Sequence, residues 1–219
     1  MKPVNLLFQG DSITDSCRAR NITEPNRGLG DGYAGLIAAQ LGCSRPELQF
    51  FNRGVTGNRI AEIYARWAED TLNMEYDILS ILCGVNDVGF QIRMNRGADV
   101  DKFEWIYDRM LQEASEENPA GRIVLCEPFL FRIKDPSNQN DIYENWDLWY
   151  GQITREAEAV DRLAKKYRAV LVRSRTLFEN AARLLPPEHL SVDGVHLRPA
   201  GCWLLAQEWI RCTDCLVRG

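Results

Sequence analysis

Four short segments of this chain carry the residue types that acyl transfer through a serine requires. Gly10-Asp11-Ser12 places a hydroxyl directly after the apolar run Val4–Gln9. Gly10 allows a sharp turn, and the helical turn that follows leaves its first backbone N–H groups without carbonyl partners. A serine there stands exposed beside oriented amides, available to attack a carbonyl carbon. Asp193-Gly194-Val195-His196 offers the base. An imidazole activates a serine when a carboxylate holds its far nitrogen and the near nitrogen faces the hydroxyl. Asp193 reaches His196 if Gly194 and Val195 form a turn. The chain has two histidines, His189 and His196, so few groups are available for proton transfer near neutral pH. The remaining need is charge stabilisation, met by two or three donors aimed at one oxygen. Gly54 can present a bare backbone N–H, Asn86 its side-chain amide, and Ser12 its own backbone N–H.

Each of these residues also has an ordinary local role. Ser12 or Thr14 would cap a helix, Gly54 would serve a turn, and Asn86 would bond within its loop. A lone loop histidine is more often inert than catalytic. Two readings of different chemistry stay open at this point. His189, Asp193 and His196 could form an open metal site from two imidazoles and a carboxylate, which leaves Ser12, Gly54 and Asn86 without a task. Ser12, Thr14 and Ser16 could instead cradle phosphate at a helix N-terminus, in a flavodoxin-like nucleotide binder. That arrangement would set Asp11 and Asp15 beside an anion and give His196 nothing to do.

What must position these segments is an alternation of strands and helices. Strand-like runs fall at Val4–Gln9, Leu48–Asn52, Ile78–Leu82, Ile123–Cys126 and Ala169–Val172. Helical periodicity spans Tyr33–Leu41, Arg59–Thr71, Val100–Glu117, Tyr143–Tyr167, Ser174–Leu184 and Pro199–Arg211. Such alternation predicts an α/β fold with a parallel sheet, right-handed crossovers and helices on both faces. No repeat or interdomain linker interrupts it, so residues 1–219 are expected to form a single domain. Ligands of such sheets bind beyond the carboxyl ends of the strands. Gly10-Asp11-Ser12, Arg53-Gly54, Gly84-Val85-Asn86-Asp87 and Glu127-Pro128 each follow a strand, and the Asp193–His196 loop can return to the same edge. The joint placement separates this reading from several unrelated local roles.

The bulk composition excludes other classes. At 45% hydrophobic and 26% charged residues the chain has an ordinary globular balance. Its net charge of -5 is spread along the sequence, without the basic stripe of a nucleic-acid surface. The apolar start is too short for a signal-peptide core, and no segment approaches the roughly 18 apolar residues of a membrane span. The seven cysteines are odd in number, and Cys83 and Cys126 lie in strand-like runs. Free thiols and a cytoplasmic location are therefore expected. Cys212-Thr213-Asp214-Cys215 has redox-motif spacing but is expected in a tail beyond the last helix, without the flanking elements that lower a thiol pKa.

The four segments, in their order along the chain, resemble the sequence blocks of the SGNH (GDSL-like) hydrolases. Gly10-Asp11-Ser12-Ile13-Thr14 and Asn52-Arg53-Gly54-Val55-Thr56-Gly57-Asn58 resemble the first two, Gly84-Val85-Asn86-Asp87 the third and Asp193-Gly194-Val195-His196 the last. The resemblance implies a flavodoxin-like three-layer α/β/α sandwich with a five-stranded parallel sheet. It also implies a Ser12–Asp193–His196 triad and an oxyanion hole of Ser12, Gly54 and Asn86, with no metal or organic cofactor. A homo-oligomer is compatible with it.

The opening Gly10-Asp11-Ser12-Ile13-Thr14-Asp15-Ser16-Cys17-Arg18-Ala19-Arg20, together with Ala65-Arg66-Trp67-Ala68-Glu69-Asp70 and Gly84–Val88, is similar to intracellular acetylxylan esterases. That branch implies release of acetyl groups from xylo-oligosaccharides or related carbohydrates, a small-molecule substrate with neither nucleic acid nor membrane as partner. The sequence departs from the branch at Gly89, where many relatives carry tryptophan, and at Leu197-Arg198, inserted before Pro199. A lysophospholipase or acyl-thioesterase of the same superfamily is the alternative; it would want a long apolar groove. The polar stretch Arg132–Trp149, with Pro136, Asn138, Gln139 and Asn140, is expected to face substrate. Its Trp146, Trp149 and Tyr150 would either stack on sugar rings or enter the core.

Overall fold

The structure, a computed structural model, describes residues 2–134, 137 and 140–217. Five strands, β1 (Val4–Gly10), β2 (Leu48–Asn52), β3 (Ile78–Leu82), β4 (Arg122–Cys126) and β5 (Val170–Val172), form one sheet in the order β2-β1-β3-β4-β5. All four pairings are parallel. Every residue of β3 is buried, whereas buried and half-buried residues alternate along the edge strand β2. A central parallel strand is covered on both faces and so reads as a continuous apolar run. Gly10 pairs with Leu82, and Leu82 with Cys126, so β1, β3 and β4 end level. The chain segments that follow them therefore emerge at one edge.

Two apolar layers cover the sheet. On one face α2 (Tyr33–Gly42) and α9 (Pro199–Val217) pack together over Leu6 and Phe8. The Phe8 ring lies 5.7 Å from Tyr33 and 5.6 Å from Trp209, and the Trp209 indole N–H bonds Ser80 Oγ at 2.9 Å. On the other face α3 (Ile60–Ala65) and α5 (Val100–Glu117) cover Leu7, Leu79 and Ile81. The long α6 (Trp146–Lys166) contributes to both layers. The short α1 (Ser12–Asp15), α4 (Val85–Met94), α7 (Ser174–Ala181) and α8 (Pro187–Leu190) complete the helices.

Several boundaries differ from the sequence expectation for identifiable reasons. The helix expected over Arg59–Thr71 divides into α3 and a π-helical turn at Ala68–Leu72. Asn86 and Asp87 lie in the first turn of α4 rather than in a loop, because Gly84 redirects the chain immediately after β3. The last helix does not stop at Arg211. Leu205, Trp209, Thr213 and Val217 are all buried, and their four-residue spacing continues the core stripe of α9 to Val217. Cys212 and Cys215 thus belong to that helix and not to a tail. All seven cysteines are free.

Candidate active site

Ser12 opens α1 at the end of β1. The cap of this turn is Asp11, whose carboxylate accepts from Ile13 N at 2.9 Å. Neither Ser12 nor Thr14 caps it, and Thr14 Oγ1 is instead 3.1 Å from the Tyr33 hydroxyl. Ser12 Oγ is thereby left for His196, whose Nε2 lies 3.0 Å away although 184 positions separate the two residues. On its other side His196 Nδ1 lies 2.6 Å from Asp193 Oδ2. Asp193 Oδ1 accepts from the backbone N–H of Val195 at 2.9 Å and of His196 at 2.8 Å, so the Gly-Val turn forms as expected. Burial raises the Asp193 pKa, but the imidazole and these two N–H donors outweigh it and hold the carboxyl below its ordinary value.

The loop is anchored from behind. Ser191 Oγ donates to His196 O at 2.8 Å and accepts from Gly194 N at 3.0 Å. Phe131 N donates to Gly194 O at 2.9 Å, and Asn140 Nδ2 to Asp193 O at 3.0 Å.

The donors around this pair are arranged differently from the sequence reading. Asn86 is half-buried, and its Nδ2 spends one hydrogen on Asn58 O at 3.1 Å, which leaves the second for another acceptor. Gly54 is buried and its N–H donates to Asn52 Oδ1 at 2.9 Å, so it is already occupied. Gly54 is needed for close approach: a Cβ there would lie 2.3 Å from Asp15 N. Gly57, three residues on, has φ +83°, nothing within 4 Å of a would-be Cβ, and an N–H with no partner among the described residues. It immediately precedes Asn58, whose carbonyl holds Asn86. The open N–H of this loop belongs to Gly57, whereas the Asn52 side chain takes the Gly54 N–H that the sequence reading set at the oxyanion.

Sequence reasoning also missed three supports. Asn52 is buried and fully used, donating to Thr14 O at 2.6 Å and Leu29 O at 2.7 Å while accepting from Gly54. Asp15 Oδ2 accepts from Thr56 N and Oγ1, both at 2.9 Å, and pairs with Arg20. Arg66 bonds the carbonyls of Gly10 and Arg53 and the side chains of Asn58 and Asp70. The missed signal was polar side chains placed directly beside the recognised segments. Beneath the site lie three buried acids. Burial pushes Asp11 up to about 7 and Asp87 to about 8, and it raises Glu156 well above the carboxylate range, with Asp87 adding to that rise. Asp87 Oδ2 accepts from Ile60 N at 2.9 Å.

The metal and phosphate readings find no such assembly. Among the described residues no three His, Cys, Asp or Glu side chains are grouped as metal ligands, and His189 lies exposed on α8. Each hydroxyl of the phosphate reading is engaged, Ser12 with His196, Thr14 with Tyr33, and Ser16 with Asp31 at 3.1 Å. In the stretch Arg132–Trp149, Pro136, Asn138 and Gln139 lie outside the described residues. Trp149 enters the core and its indole N–H bonds Asp141 at 3.0 Å. Its ring edge would lie 3.0 Å from a Cβ on Gly89, so the small residue at 89 makes room for Trp149. Trp146 and Tyr150, half-buried, stack on each other at 5.2 Å. Burial raises the Cys212 thiol to about 11. No helix of the described residues is long and apolar enough to cross a membrane.

Comparison with known proteins agrees with this architecture. Residues 8–204 match the model of the GDSL-like lipase/acylhydrolase family. An acetylxylan esterase from Geobacillus stearothermophilus is 31% identical over 211 residues, covering 94% of this chain and 92% of that protein. A crystal structure described as a GDSL-like lipase, from Parabacteroides merdae, superposes with a TM-score of 0.89 at 32% identity, covering 97% of this chain and 96% of the other. The crystal structure of the acetylxylan esterase Axe2 from G. stearothermophilus superposes with a TM-score of 0.82 at 28% identity, covering 96% and 94%.

Proposed function

We propose that this chain, which belongs to the GDSL-like lipase/acylhydrolase family and hydrolyses carboxylic esters, removes acetyl groups from xylo-oligosaccharides or related carbohydrates. The observation that carries the chemistry is the continuous relay from Asp193 through His196 to Ser12, each step within hydrogen-bond reach. Ser12 Oγ attacks the ester carbonyl while His196 Nε2 takes its proton, and Asp193 holds the imidazolium that results. Charge collects on the carbonyl oxygen, where the N–H groups of Ser12 and Gly57 and the amide of Asn86 receive it. Collapse breaks the acyl C–O bond, the leaving sugar oxygen takes the proton from His196, and the acetyl group stays on Ser12. Water then attacks the acyl carbon, gives its proton to His196, and acetate leaves as Ser12 regains its hydrogen.

The acetyl preference is supported by the acetylxylan esterase relative and by the exposed charges of Arg132 and Lys134, which are unlike an apolar groove and follow Phe131, whose N–H bonds Gly194 O. Seven unpaired thiols favour the cytoplasm. Acyl-chain length tests the reading directly. In a pocket closed around a methyl group, extra carbons displace packed side chains at a cost of ~1–3 kcal/mol. In a lipase groove, each added methylene contributes up to about 0.8 kcal/mol. kcat/KM on p-nitrophenyl esters is therefore expected to fall from acetyl to octanoyl, with acetate released from acetylated xylo-oligosaccharides and no cleavage of the sugar backbone. A maximum at eight or more carbons, with no acetate from the sugars, would sink the reading and favour the lipid or thioester alternative.

A further inference from the structure

Arg66 lies between α3 and the π-helical turn, with 16% of its side chain exposed. Its Nε donates to Asn58 Oδ1 at 2.7 Å, Nη1 to Arg53 O at 2.8 Å and Asp70 Oδ2 at 2.9 Å, and Nη2 to Gly10 O at 3.2 Å. One planar guanidinium thus joins the end of β1, two residues before Ser12, to both ends of the loop from residue 53 to 58. Two of these acceptors, Gly10 O and Asn58 Oδ1, belong to residues close to a proposed oxyanion donor. Gly10 leads into Ser12, Gly57 is bonded directly to Asn58, and Asn58 O holds the Asn86 amide. Asp70 fixes the far side of the guanidinium, and its turn is tied to β1 by Gln9 Nε2, which donates to Thr71 Oγ1 at 2.9 Å. Arg18 braces the same loop elsewhere, its Nε donating to Gly54 O at 2.6 Å. The Arg18 and Arg66 segments, far apart in sequence, therefore converge on one loop.

We propose that Arg66 is the positioning residue of the oxyanion hole, its fork setting the distance between the Ser12 turn and the loop that carries Gly57 and Asn58. This rests on the reading of Ser12, Gly57 and Asn86 as the donors. Lysine cannot reproduce the fork, because a single ammonium cannot meet acceptors spread around a planar group. Misplacement of reacting groups by about 1 Å costs on the order of 10²-fold in rate. Arg66→Lys is thus expected to lower kcat by about 10²-fold on p-nitrophenyl acetate while KM moves little.

The test is a double-mutant cycle of R66K and N86A, with melting temperatures recorded for each protein. If Arg66 acts through the donors, the R66K and N86A losses will combine to clearly less than their product, since part of what R66K disturbs is the placement of Asn86. Wild-type kcat in R66K would overturn the proposal, as would losses that multiply in full. Full activity of N86A would defeat the donor reading and the proposal together, whereas a large N86A loss with multiplying effects would defeat the proposal alone. Should R66K fail to fold, Asn58→Ala carries the test, since it removes only the Oδ1 acceptor. A fall in kcat at constant KM is expected there, and an unchanged kcat would overturn the assignment.

Discussion

On the β1–β3 side of the sheet edge, the residues around Ser12 are held by polar side chains bonded to backbone, whereas the segment after β4 is held by apolar burial. Asn52, Asp15, Arg18, Arg66 and Asp87 each bond main-chain atoms of a neighbouring loop on the first side. Across the site, Phe129, Phe131, Ile133 and Ile142 are buried, and the Phe129 and Phe131 rings pack on Phe178 at 4.5 and 5.0 Å. Arg132, Lys134 and Tyr143 point outward from that layer, with Arg132 over the Tyr143 ring at 5.4 Å. A directional bond sets where a donor points; an apolar layer sets only where a segment rests. The first construction suits groups that must meet a transition state, and the second leaves surface residues free to differ between substrates.

The comparison breaks most severely if the bonded side is not the chemical one. Ser12→Ala should lower kcat on the order of 10⁶-fold, as in other serine triads, with the melting temperature kept. His196→Ala should fall by a comparable order while His189→Ala stays near wild type. Organophosphate should label Ser12 alone, and a second modified site in the mass spectrum would count against it. Asn86→Ala should cost about 10²–10³ in kcat, or roughly 2.7–4 kcal/mol, with a much smaller change in KM. An unchanged kcat would make Asn86 a purely structural residue.

The apolar side should answer through binding instead. Tyr143→Ala is expected to leave p-nitrophenyl acetate turnover near wild type and to raise KM for acetylated xylo-oligosaccharides about fivefold, the size of one aromatic contact of roughly 1 kcal/mol. Equal losses on both substrates would remove the distinction between the two sides.

The smallest effect concerns stability. The folded protein holds the Asp87 proton far more tightly than an unfolded carboxyl, so this contribution is fully present below about pH 4 and is lost as pH rises through about 8. Asp11 acts with the same sign up to about 7, and Asp193 with the opposite sign at lower pH. Asp87→Asn keeps an acceptor for Ile60 N without a titrating proton. Its melting temperature should fall less than that of the wild type between pH 5 and 8, at about 2–4 °C for each kcal/mol recovered. Parallel curves would show that Asp87 does not titrate in this range.

Much of this was legible beforehand. β2 and β3 fall where their apolar runs lie, because buried parallel strands admit little but apolar side chains. The Ser12 and Asn86 segments follow their strands as expected, and the Asp193–His196 loop, after α8, returns to the Ser12 end of β1. Less visible was the choice between Gly54 and Gly57. Both stand in one heptapeptide, and which N–H remains open depends on where the Asn52 side chain folds back. Arg66 was hidden for a similar reason. An arginine on an amphipathic helix reads as a solvated charge, and its reach to Gly10 O and Arg53 O depends on where the fold sets β1 and the following loop. Extension of α9 past Cys212 went unseen because Thr213 is polar, yet its hydroxyl bonds Trp209 O at 2.8 Å and can be buried.

The 184 positions between Ser12 and His196 also bear on how activity is acquired as the chain folds. Helices and neighbouring strands form from contacts close in sequence, whereas this pair requires one of the longest loop closures the polypeptide can make. On dilution from denaturant, ellipticity will recover first and ester turnover last. The two halves of the proposed relay can meet only after the sheet has been assembled between them.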